Sequence, residues 1–229
     1  MGRRSSCNQP MRKRSEIAAL IVERGLVAVV RTSKMEQVLP VCEALVAGGV
    51  LNLEITLTVP NALHAIRATR ERFGGEVVVG AGTVLHAAHC QAAISAGADF
   101  IVSPITKLDL IPVAQAAQCP VMIGAYTPTE AQAAHEAGAD FVKIFPADKL
   151  GPGYIRNIRG PLPHLRIVPT GGVDLQTAPE FLKAGCVALG VGGPLIKPEF
   201  LKTGNWAELT KLAREFVRVV KETRAALAE

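Results

Sequence analysis

Two side chains in this 229-residue sequence stand where their charge is costly: Lys143 within FVKIFP and Glu54 within LEITL. Side chains alternate along an extended chain, so Phe141, Lys143 and Phe145 share one face while Val142 and Ile144 take the other. The branched aliphatics suit packing against helices, which leaves Lys143 facing inward. The same parity sends Glu54 and Thr56 inward and Ile55 and Leu57 outward. A structural ion pair is one account of two opposite charges in one interior. Apolar replacement of such pairs is often neutral or stabilising, so structure alone is a weak reason for keeping them. The chemical account is stronger. Burial disfavours an ammonium and yields an amine able to attack a carbonyl, and a carboxylate beside it can carry protons. That is the equipment for breaking a carbon–carbon bond through an imine.

Other candidate groups fall at the ends of β-branched runs. Arg31 closes one run, and Thr83, Ser103-Pro104 and Phe145 close or follow others. Thr170-Gly171-Gly172 and Gly192-Gly193 end the last two runs. In a closed parallel sheet the strand C-termini surround the active-site mouth, and the last two loops often hold phosphate through backbone N–H groups. Glycine permits the close backbone approach that such binding needs. Metal chemistry lacks ligands: His86 and His89 stand three apart on one helical pattern, and His64, His135 and His164 are scattered.

The elements that must position these groups follow from periodicity. Strand patterns cover 27–31, 52–57, 77–84, 100–104, 120–125, 141–146, 166–172 and 187–193. Helical patterns lie between them, as at 34–47, 60–72, 86–96 and 129–137. A further helix over about 12–24 precedes the first strand, and a long one over about 206–226 closes the chain. Eight alternating βα units in this length predict an α/β fold, a (β/α)8 TIM barrel with an extra N-terminal helix. A weak repeat supports it. Ala47-Gly48, Ala96-Gly97, Ala137-Gly138 and Ala184-Gly185 end helical segments before alternate strands, with each glycine expected in a left-handed helix-terminating conformation.

Composition narrows the function classes. Hydrophobic residues make up 49% and aromatics only 4%, the profile of aliphatic strands covered by Ala-rich helices. No apolar run reaches the ~20 residues of a membrane span. The net charge of +5 comes from Arg3, Arg4, Arg12, Lys13 and Arg14, which leaves residues 15–229 formally neutral and argues against a nucleic-acid partner. Residues 1–14 read as a disordered basic tail and 15–229 as the barrel. The tail has no apolar signal region, and Gly2 with Ser6 matches a myristoylation pattern too degenerate to weigh. Five scattered cysteines without a CxxC fit a reducing, cytoplasmic setting.

LVAGGVLNLEITLTVP, VVGAGTVL, ADFIVSP, ADFVKIFPA and IVPTGGV, in this order, resemble the 2-keto-3-deoxy-6-phosphogluconate/4-hydroxy-2-oxoglutarate aldolases over about residues 20–225. The resemblance implies a homotrimeric barrel and a class I mechanism with no metal or cofactor, acting on a phosphorylated 2-keto sugar acid or 4-hydroxy-2-oxoglutarate to release pyruvate. It implies Lys143 as the Schiff-base lysine and Glu54 as an acid/base working through a water. Thr83 corresponds to the residue touching the pyruvate carboxylate, and Pro104 and Phe145 to residues shaping the pocket. Thr170 lies beside glycines Gly171, Gly172, Gly192 and Gly193, implied to hold phosphate. Three positions depart from the pattern. Thr58 stands where the best-known members have arginine, and Arg31 matches a subgroup that carries its arginine on strand one. Arg31 could instead pair with Glu54 or a surface acid. Ile123 replaces a frequent proline, and Pro194 replaces a serine found in some relatives. Two other readings use the same scaffold: a phosphate-binding isomerase or synthase, which needs no imine, and a non-catalytic or engineered assembly subunit.

Overall fold

The computed structural model describes residues 12–228. Helix α1 (Arg14–Arg24) leads into β1 (Leu26–Val30), and a 3-10 turn (Met35–Gln37) runs into α2 (Val38–Ala47). The chain continues through β2 (Asn52–Thr56), α3 (Ala62–Phe73), β3 (Val78–Gly82), α4 (Ala87–Ser95), β4 (Phe100–Val102) and α5 (Leu110–Ala116). It goes on through β5 (Val121–Ala125), α6 (Pro128–Glu136), β6 (Phe141–Ile144), α7 (Gly151–Arg159), β7 (Ile167–Pro169) and α8 (Ala178–Lys183). It ends with β8 (Leu189–Val191), α9 (Pro198–Thr203) and α10 (Trp206–Ala228). All strand pairs are parallel in the order β7-β6-β5-β4-β3-β2-β1-β8. The ring closes between β7 and β8 through the Val187 N–H to Ile167 C=O bond at 3.0 Å and a bridge pairing Thr170 with Gly190. The fold is the expected (β/α)8 barrel.

Helix α1 plugs the lower end of this barrel. Its Ile17, Ala18 and Ile21 join an inward layer of Val27, Val78, Phe100, Val102, Met122, Phe141, Val168 and Ala188. Arg12 and Arg14, counted with the tail on charge, hold the plug in place. Arg14 pairs with Asp140 at 2.8 Å and donates to Gly138 C=O at 2.8 Å, while Arg12 donates to the carbonyls of Gly75 and Val77. The rest of the tail, residues 1–11 with Arg3, Arg4, Cys7 and the Gly2/Ser6 pattern, lies outside the described residues. Among the described residues no helix is long and apolar enough to cross a membrane.

The four-fold repeat is structural. Gly97, Gly138 and Gly185 sit at φ 101°, 97° and 91°. Each is followed by an N–H that reaches five residues back: Ala98 to Ala93, Ala139 to Ala134 and Cys186 to Phe181, at 3.0, 3.1 and 3.2 Å. These are Schellman terminations, which satisfy otherwise orphaned helix carbonyls. The first repeat corrects the sequence expectation by one residue. Gly49, at φ 88°, is its left-handed glycine, and Val50 bonds back to Leu45 at 3.0 Å. Gly48 is needed for space instead, because a Cβ there would lie 2.4 Å from the Ala213 Cβ of α10.

Two layers of apolar packing divide along strand parity. Val142, Ile144 and Ile55 join the cluster between sheet and helices, whereas Phe141 belongs to the barrel interior. Phe100 fills the centre of that interior because β3 offers no side chain at Gly80: a Cβ there would meet the Phe100 ring at 2.3 Å. We expect Gly80→Ala to overpack this layer and cost about 1–3 kcal/mol. The check is the urea midpoint of the purified variant at unchanged m-value.

Candidate active site

Strands β2 and β6 are four apart in a ring of eight and therefore face each other across the barrel. Glu54 projects from one and Lys143 from the other, and Nζ lies 3.5 Å from Oε1. Both side chains are buried, at 5% relative exposure for Lys143 and 2% for Glu54. The inward parity read from FVKIFP and LEITL is what the structure has. Space for the carboxylate comes from Gly82, where a Cβ would sit 2.1 Å from Oε1. The Lys143 Nζ is 5.4 Å from the centre of the Phe145 ring. Among the described residues neither side chain makes another hydrogen bond, so water or a ligand entering from the mouth must meet their remaining polar capacity.

The pair divides the mouth into two arcs. On the β7–β8–β1 arc lies a cavity of about 330 Å³ lined by Arg31, Phe145, Thr170, Gly171, Gly172, Gly192 and Gly193, together with Val29, Val173, Pro194, Ile196, Pro198 and Leu201. Seven residues singled out on sequence are thus brought together. Gly171 and Gly172 have φ 90° and 69°, and a Cβ on Gly172 would meet the Asp148 Cα at 2.5 Å. Only glycine takes both turns at this separation. The N–H groups of Gly171, Gly172 and Gly193 donate to no protein acceptor among the described residues. Thr170 fits beside β8 because Gly190 has no Cβ, which would lie 2.2 Å from its Oγ1.

Thr83 and Pro104 follow β3 and β4 on the opposite arc and do not line that cavity. Thr83 holds φ 58°, an uncommon conformation for a β-branched residue and one that clusters at functional sites. Thr58 is exposed on the rim, with its Oγ1 2.9 Å from the Thr56 hydroxyl. Arg31 follows β1 on the inward parity of Val27 and Val29. It enters no ion pair among the described residues, and the ion-pair partner of Glu54 is Lys143. Pairing of Arg31 with Glu54 or a surface acid is therefore not what the structure has.

Sequence reasoning missed the spacer roles of Gly82 and Gly190 and the apolar lining of the cavity. GAGTV carried the first signal. Val29, two residues before Arg31, carried part of the last. Among the described residues no group of three or more His, Cys, Asp or Glu is arranged to hold a metal. His86 and His89 meet edge-on at 5.3 Å, and His135 and His164, scattered in sequence, meet at 4.6 Å.

A family model described as "Aldolase: KDPG and KHG aldolase" matches residues 17–212. The chain belongs to this family. It is 34% identical over 214 residues to a 2-dehydro-3-deoxy-phosphogluconate aldolase of Pseudomonas aeruginosa, covering 93% of this chain and 96% of the relative. It is also 34% identical to a KHG/KDPG aldolase of Escherichia coli K12, covering 89% of this chain and 95% of the relative. Its structure resembles that of a KDPG aldolase from Legionella pneumophila with pyruvate captured as a covalent carbinolamine intermediate. That match has a TM-score of 0.80 and 29% identity, and covers 86% of this chain and 96% of the other. The protein is a class I aldolase, and hence a lyase.

The buried pair of this aldolase makes an energetic statement that can be checked apart from activity. Removing one partner leaves an uncompensated charge, which costs about 3–5 kcal/mol, whereas replacing both by apolar groups is often neutral or stabilising. We expect Lys143→Met to lose stability on that scale and Lys143→Met/Glu54→Leu to recover most of it. Urea denaturation of the two variants beside the parent protein is the measurement.

Proposed function

We propose that this aldolase cleaves a 2-keto-3-deoxy-6-phospho sugar acid, or 4-hydroxy-2-oxoglutarate, to pyruvate and an aldehyde such as glyceraldehyde 3-phosphate, with Lys143 as nucleophile and Glu54 as acid/base. The observation that carries this reading is the 3.5 Å contact of these two buried groups across the barrel axis. The neutral amine of Lys143 adds to the C2 ketone to give a carbinolamine, and loss of water yields an iminium. Glu54, through a water, takes the proton of the C4 hydroxyl, and the C3–C4 bond breaks. The bonding electrons pass to the iminium and leave an enamine. Glu54 returns a proton to C3, and hydrolysis frees pyruvate. An isomerase or synthase on this scaffold would have no use for the lysine.

Register supports a division of labour in binding. Val30 pairs with Ile55 and Thr56 pairs with Gly82, so Arg31 and Thr83 flank β2 from both sides just above Glu54. In our reading these two hold the carboxylate, Arg31 as a bidentate clamp in place of the arginine absent at Thr58. Pro104 and Phe145 bound the reacting carbons. The free N–H groups of Gly171, Gly172 and Gly193, beside Thr170 and Gly192, receive phosphate or a second carboxylate.

We read the protein further as a homotrimer of the cytoplasm. An open apolar groove of about 810 Å³ at the start of α3, with Leu63 40% exposed, supports association. The reducing setting is supported by Cys42, Cys90, Cys119 and Cys186, all free and buried. Burial pushes the Cys42 and Cys186 thiols up to about 12 and Cys90 to about 11, and raises Cys119 too.

Pyruvate plus borohydride should label Lys143 covalently and block turnover. In Glu54→Gln the adduct should still form while turnover falls by about 10²–10⁴-fold. Peptide mass spectrometry that finds no adduct, or one on another lysine, would remove the mechanism. Arg31→Ala should lower kcat/KM by about tenfold or more, since a hydrogen bond from an exposed arginine to a charged ligand group is worth roughly 1.5–3 kcal/mol. Thr58→Arg should restore part of that loss, and unchanged kcat/KM in Arg31→Ala would assign the carboxylate to other groups.

A further inference from the structure

His135 and His164 are exposed, stand on different elements, and line no part of the cavity beside Lys143. His135 lies in the last turn of α6, and His164 in the segment between α7 and β7. That segment is held from three directions. Pro161 and Pro163 fix φ on both sides of Leu162, Arg159 Nη2 donates to Pro163 C=O at 3.3 Å, and Leu165 is buried. The two imidazole centres are 4.6 Å apart with their planes tilted by 52°. Two imidazoles bound side by side to one ion, with N–metal bonds of about 2.0–2.1 Å, have ring centres roughly 4.5–5 Å apart. On α6, Gln132, His135 and Glu136 stand at i, i+3 and i+4 and share a face. Gln132 Nε2 donates to Glu136 Oε1 at 2.8 Å, which turns the amide oxygen toward His164. That oxygen lies 2.9 Å from His164 Nε2 and can only accept, so Nε2 carries the proton and Nδ1 keeps the lone pair. Among the described residues, His164 Nδ1 and both ring nitrogens of His135 make no hydrogen bond.

We propose that His135 and His164 together bind one divalent transition-metal cation of the Zn²⁺, Ni²⁺ and Cu²⁺ class, with Gln132 and Glu136 orienting His164 behind it. Imidazole nitrogens suit these ions, whereas Mg²⁺ prefers oxygen. A histidine that ligates a metal characteristically donates its other ring N–H to an acceptor, which fixes the tautomer and strengthens the ligand. His164 alone among the described histidines has its ring held in this way. The pair His86 and His89 lacks it and is wider, at 5.3 Å. Water completes the coordination, and the ion takes no part in the aldol reaction. It ties α6, which precedes β6, to the segment that enters β7. The strand carrying Lys143 is thereby braced from both sides along the chain.

The test titrates the full chain, freed of metal by a chelator, with Ni²⁺ in a calorimeter. Gln132→Leu keeps both ligands but releases the His164 tautomer, and should raise Kd about tenfold. His135→Asn or His164→Asn should raise it further still. His86→Asn should leave Kd unchanged, and Mg²⁺ should give no binding. All four side chains are at the surface, so the variants should fold as the parent does. At a hundredfold excess over Kd, Ni²⁺ should raise the thermal midpoint of the parent by about 5 °C or more. It should not move that of His135→Asn/His164→Asn. Absence of binding in the parent, binding that survives in the double variant, or a Kd that Gln132→Leu leaves unchanged overturns the site.

Discussion

An ammonium and a carboxylate at the centre of a barrel are affordable only when each answers the other, and much of this structure serves that contact. Lys143 and Glu54 sit on strands opposite each other, so their approach to 3.5 Å depends on the ring being closed and small. Beneath them, Phe100, Phe141 and the α1 residues Ile17 and Ile21 fill the interior and exclude water from below. Above them the barrel opens. A pair sealed on both sides would be a structural liability, but sealed on one side only it is a reactive floor reached from the mouth. The plug helix thus has a chemical consequence, because it makes the site one-ended.

Shortage of space inside the ring explains where glycine was required on the strands. Gly82 leaves room for the Glu54 carboxylate, Gly80 for the Phe100 ring, and Gly190 for the Thr170 hydroxyl. Each stands on a strand adjoining the side chain it accommodates. A barrel of this radius cannot hold a large inward residue on every strand at one level, so bulk on one strand is matched by its absence on the next. GAGTV is therefore as much a packing motif as a chemical one. Its threonine, Thr83 at φ 58°, turns the chain out of β3 within the mouth.

What was legible in the sequence was what periodicity controls. All eight strand patterns overlap observed strands, and period-two alternation placed Lys143, Glu54, Val142 and Ile144 on their true faces. The Ala-Gly repeat pointed to four helix terminations, three of them at the right residue. Gly48 and Gly49 were not separable, because one glycine answers to backbone conformation and the other to Ala213, more than 150 residues away. Helices α5, α7, α8 and α9, of seven, nine, six and six residues, were given no boundaries from sequence. At about two turns or fewer, α5, α8 and α9 show too little periodicity and are held by tertiary packing, whereas α7 opens on Gly151-Pro152-Gly153, residues that read as a turn. The apolar lining of the cavity was hidden for a related reason. Leu201 comes from one of these short helices, and no motif connects it to Val29 or Val173.

Arg31 shows how a binding function moves while the chemistry stays fixed. A cation facing a site near Glu54 can be carried by β2 itself, beyond the acid, or by the end of β1 next to it. In the ring these positions are neighbours, since Val30 pairs with Ile55 and the following residues continue side by side. The nucleophile and acid have no such freedom, because their separation spans the barrel and is set by two opposite strands. Arg31 is also free to serve a ligand: the Glu54 carboxylate is already matched by Lys143, and no other acid pairs with Arg31 among the described residues. An exposed arginine that satisfies nothing in the protein, placed on the inward parity at the rim of a cavity beside a reactive lysine, is electrostatically incomplete until an anion arrives. The net charge of the barrel conceals this, because the neutral sum of residues 15–229 says nothing about where its charges meet. The closed ring fixes the Lys143–Glu54 separation, and the neighbouring strand ends leave the choice of anion to evolution.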